Sequence, residues 1–326
     1  MSEIKKIAVF TSGGDAPGMN AAIRSVVRTA TYHDLHVFGI FQGYHGMING
    51  EIKRLERKDV GNIIQRGGTI LKTARSMEFM TKEGRQKAYD SLQAFGIQGL
   101  VAIGGNGTYT GAKIFSEEFN IPIIGVPGTI DNDIYGTEFS IGFDTAINTA
   151  IEAVDKIRDT ADSHNRLFFI EVMGRHSGYI ALFTGIGSGA GNIFLPETEG
   201  NLDELISQLK KEGRRKKLFN LVIVAEGNQN GGAMEIADKV REELDDFDIK
   251  VTIIGHLQRG GSPTCNDRVL ASRLGHSAVT ALLNNEVSKA VGVSNSKVIL
   301  TSLEDAIGRE NEINKELVEM AKILAM

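Results

Sequence analysis

Apolar residues along the chain of 326 residues fall into two kinds of segment. Short unbroken runs, Ile7-Ala8-Val9-Phe10, Val37-Phe38-Gly39-Ile40, Leu100-Val101-Ala102-Ile103 and Ile121-Pro122-Ile123-Ile124-Gly125-Val126, are punctuated by glycine. Runs this short with no polar alternation predict strands buried on both faces, as in a parallel sheet. Between them the spacing becomes helical. Ala146, Ile147, Ala150, Ile151, Val154 and Ile157 share one face while Glu152, Asp155, Lys156 and Arg158 take the others, which predicts a long helix from Thr145 onward. A second series of strand-like runs follows at Arg166 to Met173, Ile193 to Pro196, Leu221 to Glu226 and Lys250 to His256, separated by helical stretches such as Leu202 to Lys211 and Ala233 to Leu244. The alternation predicts an α/β chain with a doubly wound sheet twice over. No linker rich in Pro, Ser or Gly divides the halves, so two lobes are expected to pack around a shared cleft.

Composition sharpens this in one respect. Glycine numbers 38, where an average usage of roughly 7% would give about 23. The doublets Gly13-Gly14 and Gly104-Gly105 follow apolar runs directly, where a backbone turns tightly or approaches a ligand closely. Charge excludes more than it suggests: 36 Lys and Arg against 41 Asp and Glu give a net −5, with no general basic footprint for nucleic acid. No apolar run approaches the ~18 residues of a membrane span, and Cys265 is the only cysteine, so an intrachain disulfide is excluded. A reducing cytoplasm fits this usage.

Three loops carry candidate chemistry. Thr11-Ser12-Gly13-Gly14-Asp15-Ala16-Pro17-Gly18-Met19-Asn20 joins a strand to a helical stretch and reads as an anion site or as a plain turn. Gly104-Gly105-Asn106-Gly107-Thr108-Tyr109 repeats the arrangement, and two such loops favour a phosphate-rich ligand. Neither matches the Walker sequence or a protein-kinase signature, and Gly105-x-Gly107-x-x-x-Gly111 is only a loose relative of the dinucleotide fingerprint. The third loop, Pro127-Gly128-Thr129-Ile130-Asp131-Asn132-Asp133, sets two carboxylates beside a hydroxyl. They suit helix capping or, beside two phosphate loops, proton acceptance from a substrate hydroxyl and magnesium binding. Basic groups for a phosphorylated acceptor stand at predicted strand ends: Ser163-His164-Asn165-Arg166, Met173-Gly174-Arg175 and His256-Leu257-Gln258-Arg259.

Four long motifs in order, Thr11 to Asn20, Pro127 to Asp133, Glu171-Val172-Met173-Gly174-Arg175 and Gly255 to Pro263, resemble those of the bacterial 6-phosphofructokinases over nearly the whole chain. The resemblance implies two lobes, at 1–142 plus about 260–309 for the nucleotide and about 143–259 plus 310–326 for the sugar phosphate, with an active-site cleft between them. It also implies a cytoplasmic homotetramer moving the γ-phosphoryl of Mg-ATP to the 1-hydroxyl of fructose 6-phosphate in glycolysis. Asp131 then matches the base, Thr129 stands beside the transferred group, Asp133 lies near the metal and Arg175 offsets transition-state charge. Gly14, Tyr44, Arg75, Ser76, Gly105, Asn106, Gly107 and Thr108 match nucleotide positions. Thr129, Asp131, Arg166, Met173, Gly174, Arg175, Glu226, Lys250, His256 and Arg259 match acceptor positions, with Arg166 and Lys250 supplied by a neighbouring subunit. An effector site for a nucleoside diphosphate such as ADP, or for phosphoenolpyruvate, maps onto Arg24, Arg28, Arg57, Arg158, Arg215 and Lys217.

The chain departs from that family's pattern in four places. Asn106 replaces a magnesium-associated Asp, keeping an oxygen acceptor but losing the charge. Lys250 replaces an Arg and loses bidentate geometry. Met80 removes a basic residue near the nucleotide, and Gly191 removes an acid associated with the effector's metal. Three rival readings therefore stand beside the ATP-dependent kinase: a catalytically weak or regulatory paralogue, a pyrophosphate-dependent relative, and, more remotely, a dinucleotide oxidoreductase. Gly107 and Gly128 favour ATP as donor over pyrophosphate.

Overall fold

The computed structural model describes residues 4–161, 166–198, 202–212, 220–244 and 247–325. The chain forms two compact units, Met1–Thr145 with Arg259–Asn311 and Ala146–Gln258 with Glu312–Met326. In chain order, the first unit carries β1 (Lys6–Thr11), α1 (Met19–Tyr32), β2 (His36–Ile40), α2 (Gly43–Ile48), β3 (Ile52–Leu55), α3 (Lys82–Phe95), β4 (Gly99–Gly104), α4 (Asn106–Phe119), β5 (Ile123–Thr129) and β6 (Ile141–Gly142). Helix α5 (Phe143–Ala161) leads into the second unit, which holds β7 (Arg166–Val172), α6 (Tyr179–Ser188), β8 (Asn192–Phe194), α7 (Leu202–Glu212), β9 (Asn220–Ala225), α8 (Ala233–Glu243) and β10 (Asp248–Ile253). The chain then returns to the first unit with α9 (Cys265–Leu283), β11 (Lys289–Ser294), β12 (Lys297–Ser302) and α10 (Leu303–Gly308), and α11 (Lys315–Leu324) belongs to the second.

In the first unit the strands lie in the order β12-β11-β5-β4-β1-β2-β3, with β6 paired to the end of β5. The interior is parallel, and only the edge strands β12 and β3 run antiparallel to their neighbours. From β1 the chain builds outward to β2 and β3, then returns to the other side of β1 to lay down β4 and β5. Loops leaving β1 and β4 therefore diverge at the carboxyl edge, the switch point where doubly wound sheets bind ligands. The second unit has a four-stranded parallel sheet in the order β10-β7-β9-β8.

The sheets follow from the apolar runs. Ile7 to Phe10 and Leu100 to Ile103 have no exposed surface, and on α5 the residues Ala146, Ala150 and Val154 form the fully buried face. Boundaries shift where local chemistry intervenes. β5 begins at Ile123 rather than Ile121, because Pro122 has no N–H to give the ladder. β10 stops at Ile253, and Gly255 (φ 54°) turns the chain into a 3-10 turn over Gly255–Arg259 where a strand to His256 was expected. The antiparallel edges β3 and β12 were not anticipated: short mixed segments such as Ile52-Lys53-Arg54-Leu55 carry little period of their own. Among the described residues no helix is long and apolar enough to cross a membrane.

An aromatic cluster anchors the first unit. Phe10 packs on Tyr44 at 4.9 Å, Tyr44 stacks on Phe79 at 4.0 Å, and Phe79 meets Phe115 at 5.5 Å. Leu167, Phe169, Val222 and Val224 form the second unit's core with Leu205, Leu209, Ile236 and Val240. Tyr109, fully buried in the first unit, is the odd member, since its hydroxyl has no hydrogen-bond partner. An unmet buried hydroxyl costs roughly 1–3 kcal/mol, so Tyr109→Phe is expected to leave stability unchanged or raise it by about 1 kcal/mol, read as the urea midpoint of unfolding.

Candidate functional site

Three loops meet at the carboxyl edge of β1, β4 and β5, the central strands of the first unit. The first two are fastened to each other by short contacts. Ser12 N donates to Ile103 O at 3.1 Å, and Thr108 Oγ1 donates to Ser12 O at 3.1 Å. A side chain on Gly104 would strike Ser12 O at 2.5 Å, so this glycine serves close backbone approach. Thr108, in the first turn of α4, is held from behind by Tyr44, whose hydroxyl donates to Thr108 O at 2.6 Å. Burial pushes the Tyr44 phenol well above its ordinary pKa and keeps it a donor. Ser76 Oγ accepts from Phe79 N at 3.2 Å, which joins the exposed Arg75 segment to the ring that stacks on Tyr44. Tyr44 thus supports the second glycine loop from behind, and Ser76 ties the Arg75 segment to the same aromatic ring.

Gly105, Asn106 and Gly107 open α4, where backbone N–H groups lack helical partners and favour an anion. A side chain at Gly107 would meet nothing within 4 Å. Gly128 is different: a Cβ there would press on Ile103 and Met19 at 3.0 and 3.1 Å, so packing alone accounts for that glycine. Arg259 falls in this unit, its guanidinium lying where a Gly14 Cβ would stand. Its Nη1 is 3.5 Å from Asp15 O, and its Nε is buried without a partner. A positive group over a glycine loop is suited to phosphate.

The acidic turn after β5 is built by a residue the sequence reading passed over. Asn132, 1% exposed, has a left-handed backbone (φ 53°). Its Oδ1 accepts from Ser140 N at 2.7 Å and from Ser140 Oγ at 3.0 Å, and its Nδ2 donates to Glu138 O at 2.9 Å. Asn311 Nδ2 in turn donates to Asn132 O at 2.9 Å. This clamp sets the directions of Asp131 and Asp133 on either side of it. Asp131 is buried at 5% exposure, and its N–H donates to Thr129 Oγ1 at 3.2 Å. Asp133 Oδ2 accepts from Asn106 Nδ2 at 2.8 Å, joining the second loop to the third. No local pattern announces this clamp, since its partners Ser140 and Asn311 are fixed only by the fold.

In the second unit the carboxyl edges of β7, β9 and β10 bring together another set. Met173, Gly174 and Arg175 turn sharply after β7, with Arg175 at φ 53°. Glu226, after β9, accepts from Gly174 N at 3.3 Å and from Arg175 N at 2.8 Å. Arg166 and Lys250 are not part of that edge: Arg166 and Asp248 are the first residues of β7 and β10, and at this opposite, amino edge Arg166 Nε is 2.9 Å and Lys250 Nζ 2.7 Å from the carboxylate of Asp248, a residue without a role in the sequence analysis. Hydrogen bonds from Lys250 and then Arg166 hold the Asp248 carboxyl below its usual pKa. Residues 166 and 248 are register partners on β7 and β10, so pairing alone produced this cluster. His256 is exposed in the turn after β10.

The effector residues divide. Arg24 and Arg28 lie one turn apart on α1, and burial followed by the Arg28 charge lowers the Arg24 pKa. Arg57 lies in the same unit, Arg158 donates to Ser188 O in the second, and Arg215 and Lys217 lie outside the described residues. A Cβ on Gly191 would approach nothing closer than 3.9 Å, so the missing acid there is not imposed by packing.

Glycine loops on adjacent strand ends at a sheet switch point, with a clamped acidic turn beside them, define a site for phosphate chemistry on an α/β scaffold. The sequence profile of the phosphofructokinase family matches residues 6–282, and the chain belongs to that family. An ATP-dependent 6-phosphofructokinase of Cytophaga hutchinsonii is 54% identical over 321 residues, 98% of each chain. ATP-dependent 6-phosphofructokinase 1 of Thermus thermophilus is 55% identical over 323 residues, covering 99% of this chain and all of its own. Phosphofructokinase from Saccharomyces cerevisiae superposes with a TM-score of 0.88 at 40% identity, over 93% of this chain and 45% of the yeast chain. The fold is therefore the two-lobed phosphofructokinase fold.

Removing the Asn132 clamp tests its hold on the acidic turn. Asn132→Ala loses the hydrogen bonds and strains the left-handed backbone, and is expected to cost about 2–4 kcal/mol of stability in urea unfolding. Asn132→Gly, which relieves the backbone, is expected to cost less.

Proposed function

We propose that this chain is an ATP-dependent 6-phosphofructokinase, moving the γ-phosphoryl of ATP to the 1-hydroxyl of fructose 6-phosphate. The observation that carries the reading is the clamped Asp131-Asn132-Asp133 turn beside two glycine loops at one sheet edge, in a chain whose relatives bear that name. Phosphoryl transfer asks the protein mainly for positioning and charge compensation. The Gly14 and Gly105–Thr108 loops hold the donor phosphates through backbone N–H groups, with Arg75 and Ser76 on the nucleotide side. Asp131 takes the proton from the acceptor hydroxyl. Thr129, whose oxygen already accepts from Asp131 N, keeps its own O–H to donate to the group in transfer. Arg175 offsets the charge that builds on the equatorial oxygens.

Magnesium is tested by the donor set. Among the described residues no cluster of three or more His, Cys, Asp or Glu could hold a metal by itself. One carboxylate, Asp133, and one amide, Asn106, do fit an ion of the kind that takes most ligands from water and nucleotide phosphate. Asp133, with the Asn106 carbonyl oxygen, would hold it, and when bound it offsets charge on the donor oxygens.

The acceptor's 6-phosphate is assigned to Arg166, Lys250, His256 and Arg259, and its sugar end to Met173, Gly174 and Glu226. Arg166 and Lys250 act across a subunit boundary in a homotetramer. Arg24, Arg28, Arg57 and Arg158, with Arg215 and Lys217, take an anionic effector, ADP or phosphoenolpyruvate. A glycolytic role places the enzyme in the cytoplasm.

Asp131→Ala is expected to leave fructose 6-phosphate binding intact while lowering kcat by roughly 10²–10⁴-fold, the loss typical of a general base. An unchanged kcat in a coupled steady-state assay would refute the assignment.

Asn106→Asp tests the chain's own departure. It replaces a donated hydrogen bond to Asp133 with a second carboxylate, so divalent-ion affinity and kcat are both expected to rise. Mn²⁺ titration followed by electron paramagnetic resonance reads the first without turnover. If affinity rises and kcat does not, the amide does not limit the wild-type enzyme.

A further inference from the structure

The turn bearing Arg175 has another support, one that the reaction scheme does not use. Gln258 lies in the 3-10 turn Gly255–Arg259 and has no exposed surface. Both ends of its amide are engaged: Oε1 accepts from Met173 N at 2.8 Å, and Nε2 donates to Ala146 O at 3.3 Å. One side chain thereby joins the turn after β7 to the start of α5, from within the turn that carries His256.

The arrangement continues along the backbone. After Met173, the next two amides, Gly174 and Arg175, donate to Glu226. Three successive N–H groups are thus satisfied by two side chains from two other strand ends. They hold the chain through Gly174 at φ 142° and Arg175 at φ 53°, a conformation an arginine does not adopt by preference. Gly227 completes the fit, since a Cβ there would collide with Arg175 O. Glu226 is exposed, whereas Gln258 is buried, so the amide is the support that solvent cannot replace.

We infer that Gln258 is a positioning residue for the phosphoryl transfer: by holding Met173 N it sets the turn whose Met173 and Gly174 meet the sugar end of the acceptor and from which Arg175 reaches the transferring group. The inference rests on the role given to Arg175 above. An apolar side chain of similar length would leave Met173 N without a partner in a buried place, while Ala146 O keeps its helical bond within α5. A glutamate would keep the acceptor for Met173 N but oppose a carboxylate to Ala146 O.

Gln258→Met, Gln258→Glu and wild type are compared as full-length enzyme in steady-state assays and in thermal melts with and without fructose 6-phosphate. A displacement of the arginine turn lowers kcat/KM for fructose 6-phosphate by roughly 10–100-fold in Gln258→Met, with a raised KM for that substrate and an unchanged KM for ATP. Gln258→Glu, which retains the Met173 acceptor, is expected to lie between Gln258→Met and wild type. Ligand-induced stabilisation should shrink in the same order. A purely structural role would reduce the folded fraction and leave both KM values as in wild type, and that result overturns the inference. Should Gln258→Met fail to fold, Gln258→Glu decides alone: a fructose 6-phosphate KM and melting shift equal to wild type overturn it, and a raised KM with a reduced shift supports it. A wild-type enzyme that neither binds nor phosphorylates fructose 6-phosphate overturns the proposed function, and this inference with it. Normal wild-type kinetics with unaltered variants overturn only the role of Gln258.

Discussion

The reversal of strand order between β1 and β4 is the constraint on which the first unit's chemistry depends. Parallel neighbours send their following loops out at the same edge, and between β1 and β4, where strand order reverses, those loops are fastened at their base and then lead away into separate helices. Ser12 to Gly18, Gly104 to Gly107 and Thr129 to Asp133 owe their nearness to the order β5-β4-β1, although more than a hundred residues separate the first loop from the last. The buried runs Ile7 to Phe10 and Leu100 to Ile103 hold this order, because a strand that is apolar on both faces is stable only inside the sheet.

On that frame the functional groups are fixed by polar side chains that capture backbone, in the same way in both units. Asn132 holds the turn between two carboxylates, and Glu226 and Gln258 hold the turn that carries Arg175. In each case a residue other than glycine sits in the left-handed region beside or within the proposed machinery. Such a conformation persists only where its surroundings over-determine it, and the buried amides of Asn132 and Gln258, with the exposed Glu226 carboxylate, do so here by accepting from main-chain N–H groups. Tyr44 supplies the equivalent support beneath Thr108, from an aromatic cluster rather than a polar one.

In each unit, charged groups at proposed positions are already engaged within the chain. Asp133 is engaged by the neutral amide of Asn106, and Asp248 is shared between Arg166 and Lys250. Asp248 orients two flexible cations and offsets one of their charges, so the pair presents a single net positive charge from two defined positions. With Lys at 250 the geometry of that pair depends on the carboxylate, since an ammonium has no fork of its own to align.

Much of this was legible along the chain. The apolar runs and their glycine ends marked the buried strands and the loops that follow them, because burial on both faces and tight turning each demand particular residue types locally. The motifs around Gly14, Asp131 and Arg175 were legible as a family signature because several long runs in the right order are far more specific than any single loop. Asn132, Asp248 and Gln258 were not legible, since each is an ordinary polar residue whose role lies in partners far away in sequence: Ser140 and Asn311, Arg166, and Met173 with Ala146. The antiparallel edges β3 and β12 escaped likewise, their pairing being set by the neighbouring strand more than by their own short patterns. Local sequence determined which segments are strands, helices and phosphate-type loops, because propensity, burial pattern and turn chemistry act over a few residues. Only the tertiary structure decided which side chains hold the functional turns, because a hydrogen bond has a strict geometry that no spacing along the chain prescribes.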